Sequence, residues 1–106
     1  MSISTSSMEH LRNLLALREE LEPSGIALHS HEYDAISFGA FVVVLAKNHK
    51  MARFSWDGRE SILTIAYQTV QNQAAAGTWQ HDAYISVPRE EDVFAEIGSN
   101  VEAMLS

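Results

Sequence analysis

The chain has 106 residues, no cysteine, 46% hydrophobic and 20% charged side chains, and a net charge of −7. That length holds one hydrophobic core rather than two, and the composition excludes both a disordered chain and a membrane-spanning one. The charge repels phosphate backbones and anionic lipid surfaces, and the missing thiols exclude disulfides, thiolate-held iron–sulfur clusters, Cys-type zinc sites and a cysteine nucleophile.

The opening residues Met1-Ser2-Ile3-Ser4-Thr5 are small and polar, with neither the basic stretch nor the apolar run of a secretory leader. The expected setting is therefore cytoplasmic. Ser6 followed by Glu9 is the spacing of a capping box, so a helix is expected from about 7 to 22. Its apolar stripe is read as Met8, Leu11, Leu14, Leu15 and Leu21, and Pro23 with Gly25 ends it.

From Ile26 to Tyr33 a two-residue alternation predicts a first strand, with His29, His31 and Tyr33 on one face and Leu28, Ser30 and Glu32 on the other. Phe38 to Ala46 is apolar on both faces and predicts a second, central strand. If Asn48 and His49 form a two-residue turn, Leu45 pairs with Ala52, Val43 with Phe54 and Phe41 with Trp56. If Asp57 and Gly58 form another, Trp56 pairs with Arg59, Phe54 with Ser61 and Ala52 with Leu63. These registers put Phe41, Val43, Leu45, Phe54, Trp56, Leu63, Ile65 and Tyr67 on one face. The other face carries Val42, Val44, Met51, Arg53, Ser55, Ile62, Thr64 and Gln68, a mixed surface with an apolar strip.

Residues 71 to 77 break the alternation and read as a loop. Trp79 to Ser86 predicts a fifth strand, and Pro88 with Glu90, Glu91 and Asp92 opens a second helix running to about 105. The expected fold is thus α+β, a five-stranded antiparallel meander in the order α-β-β-β-β-β-α with both helices on one face. Residues 1–106 are expected to form a single domain, with 1–5 frayed.

Two functional readings follow. In the first, the half-apolar face left by the helices docks a protein partner or a second copy, with Val42, Val44, Met51, Ile62 and Tyr33 as the contact. That describes a small acidic homodimeric interaction module of the inhibitor, immunity or chaperone kind, with no cofactor. In the second, His29 and His31, two apart on a strand, share a divalent metal such as zinc with His81, giving a metal-binding protein or small metal-dependent enzyme. No Gly-rich phosphate loop and no Gly-x-Ser-x-Gly turn is present, so neither nucleotide chemistry nor a nucleophilic serine is marked.

Overall fold

The computed structural model describes residues 5–34, 39–69 and 79–105, with side chains from Met8 onward. Helix α1 spans Thr5–Leu21, strands β1 to β5 span Ala27–Asp34, Ala40–Lys47, Lys50–Asp57, Ile62–Thr69 and Gln80–Ser86, and helix α2 spans Glu90–Leu105. The strands form one antiparallel sheet in the order β1-β2-β3-β4-β5. Both helices pack on the same face, called the inner face below. The Ser6 capping side chain, the Phe38 start of the second strand and the loop at 71–77 lie outside the described residues.

The inner face buries Phe41, Val43 and Leu45 of β2, Phe54 and Trp56 of β3 and Leu63 and Ile65 of β4 against Val93, Phe94, Ile97, Val101 and Leu105 of α2. The helix meets them with side chains spaced three and four apart, one stripe of a 3.6-residue period. Trp56 also donates its indole N–H to the Val87 carbonyl at 3.0 Å, fixing the chain between β5 and α2. The tryptophan therefore satisfies its one polar atom inside the core.

Helix α1 buries a stripe that shares Leu14 and Leu21 with the expected one and differs in the rest. Its inward side chains are His10, Leu14, Leu17 and Leu21, at spacings of four, three and four, while Met8, Leu11 and Leu15 point away from the core. Leu14 to Leu17 are apolar without a break, so the sequence offers two stripes and packing selects one. After Leu21 a 3₁₀ turn, Glu22–Ser24, ends at Gly25, whose φ of +78° is left-handed and whose N–H bonds to the Glu22 carbonyl at 2.9 Å.

The β2–β3 hairpin has the expected register, including Phe41 with Trp56 and Lys47 with Lys50, and Asn48 takes the left-handed φ of 57°. The β3–β4 connection is corrected. Asp57 and Gly58 do not make a two-residue turn; Asp57 pairs with Ile62 and the loop holds four residues. The Asp57 carboxylate accepts the N–H of Arg59 at 2.9 Å and of Glu60 at 3.3 Å, and its carbonyl accepts the Ser61 N–H at 2.7 Å. An aspartate can close a turn through its side chain as well as by preceding a glycine, and here the side chain wins. Phe54 consequently faces Ile65 instead of Ser61. The displacement is an even number of residues, so each side chain keeps its face.

Candidate functional site

The two-residue alternation of β1 fails at one point. Leu28 pairs with Leu45 but Ser30 pairs with Val44, so an extra residue, His29, is inserted against β2. Such a bulge reverses which face the following residues occupy. His31 then lies opposite Val43 and Tyr33 opposite Phe41, both on the inner face, whereas His29 shares an outer-face groove with Ser30, Val44 and Met51.

His29 and His31 therefore occupy opposite faces. A second register shift, between Ile65 and Ala66, leaves His81 of β5 paired with Ala66 and stacked on Tyr84. His81 is four strands from β1, about 19 Å at ordinary strand spacing. The three histidines have no common point at which an ion could be held. Among the described residues no group of three or more His, Asp or Glu side chains is gathered for a metal.

The residues expected to form an outer docking strip also separate. Val42, Val44, Met51 and Ile62 do share the outer face, but Val44 is buried, Val42 and Met51 are half-buried, and Ile62 alone is exposed. Tyr33 is displaced to the inner face by the bulge and stacks on the His10 ring at a centroid distance of 4.0 Å.

His31 and Tyr33 instead join a partly buried chain of titratable groups centred on His10, which the sequence left unmarked. His10 of α1 is 0% exposed. Its Nδ1 meets Glu90 Oε1 at the first turn of α2, and its Nε2 lies 2.6 Å from His31 Nε2. The ring is packed by Tyr33, Phe41 and Phe94. An Nδ1–H donated to the carboxylate leaves Nε2 as the acceptor of the His31 Nε2–H, so His10 has both nitrogens paired while both rings are neutral.

Burial holds the His10 pKa at about 4, below the usual 6.5. His31 is lowered too, chiefly by burial and secondarily by His10, against a smaller opposing pull from Glu32. Glu90 is raised, first by burial and then by Glu9. The chain resembles the orienting half of a catalytic triad, yet no serine, threonine or cysteine stands at its far end among these contacts. It ties α1, β1 and α2 together. The only trace of it in the sequence is that His10 completes the spacing of Leu14, Leu17 and Leu21.

The second feature is the outward stripe of α1. Met8, Leu11 and Leu15 are 51%, 48% and 54% exposed, three large apolar side chains one helical turn apart on one surface. Among the described residues no helix is long and apolar enough to cross a membrane. Compared with models of known protein families, with curated proteins and with solved structures, the chain matches none.

Proposed function

We propose that this protein is a small cytosolic interaction module that docks a protein helix, in the simplest case α1 of a second copy, through Met8, Leu11 and Leu15. The exposed stripe carries this reading. Apolar side chains at spacings of three and four form the face by which one amphipathic helix lies along another. Scattered surface leucines need no explanation, but a row of three half-exposed ones on one helix does.

The sheet edges offer a poorer route to a partner. Register shifts interrupt both outer pairings, β1 with β2 and β4 with β5, and β1 carries Glu32 and Asp34 further along the strand. Bulges and charges on edge strands oppose strand addition from another chain. The net charge of −7 disfavours nucleic acid as the partner and fits a role as inhibitor, immunity protein or chaperone of a less acidic protein.

Sedimentation velocity on the wild type and on Leu11→Asp and Leu15→Glu tests the reading. The wild type should sediment as a dimer at high micromolar concentration and the variants as folded monomers, while Ile62→Glu on the sheet should leave the dimer intact. A wild type that stays monomeric, or a dimer broken by Ile62→Glu but not by Leu15→Glu, overturns it.

A further inference from the structure

The outer face of the sheet holds a groove of about 450 Å³ on the side opposite both helices, lined by His29, Ser30, Met51, Arg53, Gln68 and Trp79. Three observations in it concern unspent binding capacity. Gln68 is only 6% exposed, and its Oε1 is buried with no hydrogen-bond partner among the described residues. Its Nε2 donates to the Met51 sulfur at 3.8 Å. A thioether accepts and cannot donate, so the amide is turned correctly and the oxygen is the end left over. An unpaired buried acceptor is costly and uncommon in a native fold.

Arg53 supplies the second. Its guanidinium carbon sits 4.8 Å from the centroid of the Trp79 ring. No carboxylate among the described residues pairs with it, in a chain with twice as many acidic as basic side chains. A guanidinium placed over an indole keeps edge donors with which it can receive a carboxylate through two parallel bonds. The third observation is placement. Arg53 pairs with Ala66 and Gln68 with Met51, so Arg53 and Gln68 are diagonal neighbours on one face, about 7–8 Å apart along the backbone.

We propose that this groove binds a carboxylate with an adjacent N–H donor, the pattern shared by N-acylated amino acids and the C-terminal residue of a peptide. Arg53 takes the carboxylate and Gln68 Oε1 accepts the N–H. Met51, unbranched and flexible, is the side chain that moves to admit the ligand. The groove lies across the sheet from the α1 stripe, so this site stands or falls independently of helix docking.

Tryptophan emission reads it directly, because the other tryptophan, Trp56, is sealed in the core. The probes are N-acetylglycine, its amide, butyrate, and a short peptide with a free or an amidated C-terminus. N-acetylglycine should give a saturable change that its amide does not, and it should bind more tightly than butyrate, which lacks the N–H. Arg53→Gln should weaken binding about tenfold or more. Gln68→Met should abolish the preference over butyrate and raise the Tm of the unliganded protein, a pairing that a merely structural glutamine would not show.

A free-acid peptide that binds about tenfold more tightly than N-acetylglycine assigns the ligand to a protein C-terminus, and equal affinity assigns it to a small metabolite. The absence of saturable binding by any free carboxylate, or equal binding of acid and amide, overturns the proposal. Circular dichroism of both variants separates a lost site from a lost fold.

Discussion

His10 Nε2 lies 2.6 Å from His31 Nε2, and through this contact a helix and an edge strand meet inside a pocket of aromatic rings. The contact requires both imidazoles to be neutral, so its contribution to stability depends on pH.

The unfolded chain protonates His10 near pH 6.5, whereas the native chain does so only near 4. Above that window His10 makes stability independent of pH. Within it the unfolded state binds the proton first, so stability falls as pH falls, by about 3 kcal/mol in all at 1.36 kcal/mol per unit. His31 acts in the same direction. Glu90, raised by burial, acts oppositely because its native form takes up the proton first, and it softens the loss. Thermal unfolding between pH 6.5 and pH 4 should therefore show a declining Tm. In His10→Phe, which keeps a ring among Tyr33, Phe41 and Phe94, the decline should flatten while neutral-pH stability drops by no more than about 2 kcal/mol. An unchanged pH slope in that variant would refute the assignment.

Leu11→Asp and Leu15→Glu replace half-exposed side chains, so they should cost the monomer less than about 0.5 kcal/mol. Their effect should fall on association. Chemical denaturation of the variants at low concentration, compared with their sedimentation, separates the two quantities.

Gly98 stands inside α2, and a Cβ there would meet its nearest neighbour, Glu20 Oε2, at 3.5 Å, ordinary contact. Gly98→Ala should stabilise the protein by about 0.5–1 kcal/mol through helix propensity alone. A urea midpoint that moves down instead would show that α1 and α2 pack more closely than this distance indicates.

Chelation should leave the melting curve unchanged, because His29, His31 and His81 lie on different faces and different edges of the sheet. A fall in Tm with EDTA that zinc restores would require a donor set other than these three.

Local chemistry was enough to determine the α+β meander. Asn48 and His49 predict the pairing of Phe41 with Trp56, and two-residue alternation then assigns Phe54, Trp56, Leu63 and Ile65 to the core whether the next loop holds two residues or four. Three features were decided only in three dimensions. Helix α1 carries two apolar stripes, and packing against α2 and the sheet chose His10, Leu14, Leu17 and Leu21 over Met8, Leu11 and Leu15. The bulge at His29 has no local signature, yet it turned His31 and Tyr33 inward and parted the histidine pair. The chain from His31 through His10 to Glu90 joins groups 21 and 80 residues apart, a distance that no spacing rule spans. Local patterns report the faces of each element, whereas a buried polar cluster depends on which faces meet.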